Sequence, residues 1–196
     1  DEDLYAFLVA LHIPRASLIG SSLGGRIAID FALAHPSMVD RLVLAAPGLS
    51  GWKFSRGDTS WFPEARAARD RGDWGGIALA WLKQDFMLAA MERPELAAHL
   101  REVARDNGPF WKDVLRLGRE QDQQGSPPAL HRTRLVTAPT LLIVWTRDTR
   151  DIEGIADTLS ESMPNIRRVT FQGAGHMLNL EQADRFNTLV LDFLRQ

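Results

Sequence analysis

Ser22 stands in Gly20-Ser21-Ser22-Leu23-Gly24-Gly25, where a short apolar run gives way to a helical one. Upstream, Ala16-Ser17-Leu18-Ile19 is brief, follows Pro14 and reads as a strand. Downstream, Ile27, Ala28, Phe31 and Ala32 recur at helical spacing. A serine at the centre of so tight a turn has its hydroxyl pushed out above the strand ends. A helix starting at Leu23 aims its free N–H groups and positive dipole end at the reacting centre. Gly20 and Gly24, two residues to either side, spare the strained turn its Cβ clashes. The chemistry this suits is nucleophilic attack, although the same pattern links strand to helix in many proteins without catalytic purpose.

A serine hydroxyl needs a base, and the base needs a carboxylate to fix its tautomer. His176 lies in Gly173-Ala174-Gly175-His176-Met177-Leu178-Asn179-Leu180-Glu181, after the strand-like Arg168-Val169-Thr170-Phe171 and before a helix expected to run to about Leu194. Pro139-Thr140-Leu141-Leu142-Ile143-Val144-Trp145 is a nearly unbroken apolar run, the pattern of a strand buried in a parallel sheet, and Asp148 follows it in a polar loop. Ser22, Asp148 and His176 thus each follow a strand, on the edge where open parallel sheets build their sites.

On the G-x-S-x-G-G turn, the PTLLIV..RD strand and the GAGHMLNLE loop, the chain resembles the α/β-hydrolase superfamily from residue 1 to residue 196. The resemblance implies an α/β fold, a mostly parallel, doubly wound sheet with a helical cap insertion. It implies Ser22 as nucleophile, His176 as general base and acid, Asp148 as orienting carboxylate and the Leu23 N–H as an oxyanion donor, with Gly20, Gly24 and Gly25 shaping the elbow. Serine, acid, histidine is the chain order of that superfamily. Two departures stand out. Trp145 occupies a position where relatives usually carry glycine, which sets a large indole beside the acid loop. Asp151, three residues past Asp148, also follows the strand and is the alternative acid. Leu44-Ala45-Ala46-Pro47-Gly48 holds no carboxylate, so an acid after the preceding strand is excluded.

The other histidines suit blander roles. His35 closes the helix after the elbow, just before Pro36, where a cation complements the carbonyl end of the dipole. His12, His99 and His131 read as solvent-exposed. With no cysteine and no two histidines three to five residues apart, no metal site is implied.

The chain has 196 residues, 45% of them hydrophobic, enough to bury the core of one α/β domain with an insertion. A net charge of −2 gives no basic field for nucleic acid. No apolar run approaches the roughly 20 residues of a membrane span, and a cytoplasmic location is the expectation. The expected organisation is hydrolase core over 1–49, helical cap over 50–132 and core again over 133–196. The cap segment carries Trp52, Trp61, Trp74, Trp81 and Trp111 among several Phe and Met residues. Such side chains pack a cap onto its core, and collectively they also suit an apolar pocket, for which Ser21, Trp81, Trp111 and Met177 are the candidates. The chain opens on Asp1-Glu2-Asp3 and an amphipathic helix with Leu4, Phe7, Leu8 and Leu11. Relatives reach that helix only after four strands, so the resemblance implies a fragment that lacks the N-terminal part of the sheet and the loop giving the second oxyanion donor.

The leading expectation is a cofactor-free serine hydrolase of a small apolar ester, lactone or related carbonyl compound, acting through an acyl-enzyme. The alternative is a carbon–carbon bond hydrolase, thioesterase or haloperoxidase on the same triad. The GSSLGG and GHMLNLEQ stretches are close to those of enol-lactonase-like and ring-cleavage-product hydrolases. A non-catalytic ligand-binding protein of this fold is a further reading, against which the complete triad argues. The partner expected is a small-molecule substrate, with homo-oligomerisation left open.

Overall fold

A computed structural model of the chain describes residues 2–55, 60–111 and 127–196. Apolar content decides where each strand sits. The residues of β3 (Thr140–Trp145) are all buried, as an unbroken apolar run requires, and β3 pairs on one side with β2 (Val39–Ala45) and on the other with β4 (Ile166–Phe171). β1 (Ala16–Ser21) pairs with β2, giving four parallel strands in the spatial order of the chain. The outer strands are less buried: β1 exposes the alternate residues Ser17, Ile19 and Ser21, Ile19 at 56%, and β4 exposes Arg167 and Thr170.

Successive side chains of a strand point to opposite faces. On β4, Arg168 meets α7 (Arg150–Ser162) through Glu153 and Asp157, while Phe171 meets α9 (Ala183–Leu194), whose Arg185 lies 4.1 Å from its ring centroid. Helices therefore flank the strand on both sides, the doubly wound arrangement. α7 buries Ile152, Ile155, Ala156 and Leu159 along one stripe, and Thr149 caps its start by accepting the Ile152 N–H. α9 buries Phe186, Val190 and Phe193.

Local differences from the sequence reading have physical causes. The helix expected after the histidine loop is two pieces, α8 (Leu178–Glu181) and α9, because Gln182 at φ −134° and ψ 52° leaves helical space. In α1 (Glu2–Ala10) only Leu8 of the anticipated stripe is buried, and Phe7 and Leu11 are exposed. α2 (Leu23–Ala34) buries Ala28, Ile29, Phe31 and Ala32. His35 closes it by donating its backbone N–H to Phe31, while its ring stacks on Tyr5 at 4.4 Å, so packing accompanies the capping position.

The chain divides into two compact units. The first comprises Asp1–Phe54, Pro127–Ala174 and Gln182–Gln196, and holds the sheet. Within it, Ser50 joins the two places where the chain departs and returns. Its hydroxyl donates to Asp30 (2.7 Å) and accepts the Ala129 N–H (2.9 Å), and its carbonyl accepts the Leu130 N–H (3.1 Å).

The second unit comprises Ser55–Ser126 and Gly175–Glu181. It contains α3 (Phe62–Asp70), α4 (Trp74–Trp81), α5 (Leu88–Met91), α6 (Pro94–Asp106) and α8. Of the insertion expected over 50–132, residues 56–59 and 112–126 lie outside the described residues. One of its clusters gathers Trp61, Trp74 and Trp111 around Ala65, Ala68, Ile77 and Ala80. Another gathers Trp81, Phe86, Met91 and Met177 around Leu82, Met87, Ala90 and Leu100. Among the described residues, no helix is long and apolar enough to cross a membrane.

Candidate active site

Ser22 has φ 51° and ψ −113°, a backbone state that side-chain-bearing residues avoid. It persists because the surroundings fix it from both directions. The Ser22 N–H donates to Ala45 (3.0 Å), one step past the end of β1, and the Ser22 carbonyl accepts from Arg26 (3.2 Å) and Gly48 (2.8 Å). Ser22 occupies the N-cap of α2, where a serine ordinarily caps the helix with its side chain, yet it makes no such bond. Leu23 is the first residue of α2, so helix geometry leaves its N–H to an outside acceptor.

The glycines divide differently from expectation. A Cβ on Gly20 would lie 2.3 Å from the Gly24 carbonyl oxygen, and one on Gly25 would lie 2.6 Å from the Pro47 Cβ. A Cβ on Gly24 would meet nothing within 4 Å. The steric need therefore falls on Gly20 and Gly25, and the clash assigned to Gly24 is absent, because residue 24 points away from both the strand and the loop after β2.

Past β3, the acid loop is laced to the chain that follows β4. Thr146 N–H donates to Phe171 (3.1 Å), Arg147 N–H to Ala174 (3.1 Å), and Thr146 Oγ1 accepts from Gly173 (3.0 Å). Asp148, half-buried, accepts the Thr149 N–H on Oδ1 at 2.7 Å. Asp151 lies in the first turn of α7 and accepts the indole N–H of Trp52 at 3.1 Å. Trp52, counted with the cap in the sequence reading, belongs to the first unit and lays its ring edge beside Gly154. Trp145 is buried at the end of β3, in register with Phe171.

His176 belongs to the second unit and is 8% exposed. Its backbone N–H donates to the Phe86 carbonyl (3.3 Å), and its ring meets the Phe86 ring edge-on at 4.8 Å. The N–H groups on either side go to one carboxylate, Gly175 to Glu181 Oε2 (2.9 Å) and Met177 to Glu181 Oε1 (3.2 Å). Sequence reasoning gave Glu181 no role. Its signal was a glutamate five residues after the candidate histidine, close enough to reach back across one turn.

Of the pocket candidates, Ser21 is exposed at the end of β1 opposite Ala45. Trp81, Trp111 and Met177 lie in the second unit, where Trp81 packs on Trp111 (5.9 Å) and Phe86 (5.4 Å) and Met177 joins the same cluster as Trp81. His12, His99 and His131 are exposed. The first unit thus supplies a strained serine at a helix start and a carboxylate beyond β3. The second supplies a buried imidazole on a tightly bonded loop.

Comparisons with known proteins bear on the family of the chain. The chain is 30% identical over 200 residues to the 2-hydroxy-6-oxononadienedioate/2-hydroxy-6-oxononatrienedioate hydrolase of Paraburkholderia phymatum, covering 98% of this chain and 67% of that protein. It is 28% identical over 208 residues to the 2-hydroxy-6-oxo-6-phenylhexa-2,4-dienoate hydrolase of Comamonas testosteroni, covering 95% of this chain and 65% of that protein. The chain therefore spans about two thirds of the length of these curated relatives. The crystal structure of the enol-lactonase from Burkholderia xenovorans is similar with a TM-score of 0.75 at 25% identity, over 99% of this chain and 71% of that one. The model of the alpha/beta hydrolase family matches residues 1–189, nearly the whole chain, and the parallel sheet, the strained serine and these relatives all agree with it: the chain belongs to that family.

Proposed function

We propose that this hydrolase splits a carbon–carbon bond in a 2-hydroxy-6-oxo-dienoate, with Ser22 as nucleophile, His176 as its base and Asp148 as the carboxylate that orients the imidazole. The observation that carries the reading is the identity of 30% across 98% of the chain to a hydrolase named for such a substrate. That compound has no ester or amide bond, so the bond open to water lies between C5 and the C6 carbonyl. Moving the enol proton from the 2-oxygen to C5 turns the C2 enol into a ketone. Attack at C6 then releases C5 as a leaving group whose electron pair spreads through the C3–C4 double bond onto the C2 carbonyl. The products are a 2-hydroxydienoate and a carboxylic acid, with one water consumed.

The reading expected first from the sequence, ester or lactone hydrolysis, becomes the second, favoured by the likeness to the enol-lactonase. Both use an electrophilic carbonyl, a serine and an oxyanion donor such as the Leu23 N–H. They part at the leaving group, a stabilised carbanion in one and an alkoxide in the other.

The experiment has two arms. A fluorophosphonate probe, followed by mass analysis of the Ser22 peptide, asks whether the serine is activated. Bleaching of coloured 2-hydroxy-6-oxo-dienoates, beside p-nitrophenyl esters and an enol lactone, asks which bond is cut. Labelling with preferred turnover of the dienoate supports the proposal. Preference for the lactone or ester moves the chain to the second reading, and an unlabelled Ser22 with no turnover overturns both.

A further inference from the structure

We propose that Glu181 is a positioning residue for His176, a part that rests on the reading of His176 as the base. Three successive backbone N–H groups, those of Gly175, His176 and Met177, are all taken up within the second unit. The outer two go to separate oxygens of the Glu181 carboxylate and the middle one to the Phe86 carbonyl. Hydrogen bonds to an ionised acceptor are stronger than neutral ones, and two of them on one rigid carboxylate fix the peptide planes on both sides of the imidazole. Glu181 is itself anchored, since its backbone carbonyl accepts from the Arg93 guanidinium. The loop also has no room to shift toward α5, because a Cβ on Gly175 would already lie 2.6 Å from the Ala89 Cβ. The edge-on Phe86 ring then limits rotation of the imidazole. A base that must take a proton from one oxygen and return it to another gains from such fixing, because small misplacements of reacting groups are costly.

Glutamine is the discriminating substitution. Its amide keeps the size of the carboxylate but has a single acceptor oxygen, so its NH2 group must face the Gly175 or the Met177 N–H. The test is a double-mutant cycle in the full chain with Glu181→Gln, His176→Ala and the double variant, read as kcat and KM on whichever dienoate or p-nitrophenyl ester the chain turns over. Glu181→Gln should lower kcat about 10- to 100-fold and leave KM within about 2-fold. On the His176→Ala background the same change should alter the residual rate less than about 2-fold, because there is no base left to position.

Wild-type kcat in Glu181→Gln beside an inactive His176→Ala overturns the positioning role alone. So does an unchanged fold-loss on the His176→Ala background, since that marks a structural effect unconnected with the base. Wild-type kcat in His176→Ala instead overturns the reading on which the proposal rests. Should Glu181→Gln fail to melt cooperatively, Glu181→Asp, which keeps the charge but shortens the reach, passes through the same cycle with the same criteria.

Discussion

Trp52 and Asp151 are joined by a hydrogen bond of 3.1 Å from the indole N–H to Oδ1, between residues 99 positions apart in the chain. This engages the acid that competed with Asp148 in a contact within the first unit, at the start of α7. Asp148→Asn should therefore lower kcat by at least about 10²-fold, as expected when the carboxylate that sets an imidazole tautomer is lost. Asp151→Asn should leave kcat within a few-fold and instead lower the melting temperature. Equal catalytic losses in steady-state assays of the two variants would transfer the role to Asp151 or divide it.

Ser22→Ala and His176→Ala should each reduce kcat by about 10³-fold or more, and the double variant should be little slower than either alone, because such groups act as a unit. Assays of residual rate with the variants re-purified in parallel decide the matter. Multiplicative losses would show that the two residues act independently.

Glycine substitutions at the elbow should separate sharply. Gly20→Ala and Gly25→Ala drive a methyl group into the Gly24 carbonyl and Pro47, and each should cost about 1–3 kcal/mol with loss of serine labelling. Gly24→Ala meets open space and should stay within about 0.5 kcal/mol of the parent. Urea melts and the fluorophosphonate labelling rate measure both effects. An inactive Gly24→Ala would mean that the turn needs backbone freedom there that the observed geometry does not use.

Trp81 lies edge-on to Phe86, which in turn lies edge-on to His176. Trp81→Leu should thus slow turnover several-fold while costing about 2 kcal/mol of packing. Trp74→Leu, in the cluster around Ile77, should cost similar stability without touching kcat below its melting range. Paired melts and initial rates test the contrast, which fails if both variants lose activity in proportion to stability.

Arg168 bridges Glu153 at 2.5 Å and Asp157 at 2.6 Å. Partial burial pulls its guanidinium down, but the hydrogen bonds to Asp157 and Glu153, with their charges, prevail and hold it above the ordinary arginine value. A group raised on folding contributes fully at every pH below its unfolded value and loses that contribution only in strong alkali. Arg168→Met should therefore cost about 1 kcal/mol, equally at neutral and mildly alkaline pH, and less at high salt. A loss growing steadily through the neutral range would contradict this account.

Strands and the elbow were legible in the sequence because each is a local pattern. The apolar run of β3 predicts burial, and serine flanked by small residues predicts the strained turn that φ 51° records. What escaped depends on partners far along the chain. Gly25 is needed because Pro47 packs against it, and nothing near residue 25 announces that. Trp52 reads as one more cap aromatic until its hydrogen bond to Asp151 places it otherwise. Glu181 carries no assigned role in the sequence until its carboxylate is seen gripping the loop before it. The choice among hydrolytic reactions is legible in neither the elbow nor the carboxylate, since each serves several bonds alike.

The bonds that Ser50 makes to Ala129 and Leu130 have an evolutionary corollary. They close the neck of a long excursion inside the unit that holds the sheet, so the sheet feels the two ends of the intervening segment and little of its length. Closure entropy grows only logarithmically, at about 0.6 kcal/mol for each doubling of a loop. A lineage could lengthen, shorten or exchange the helices between those ends at small thermodynamic expense to the sheet, without relearning how to fold.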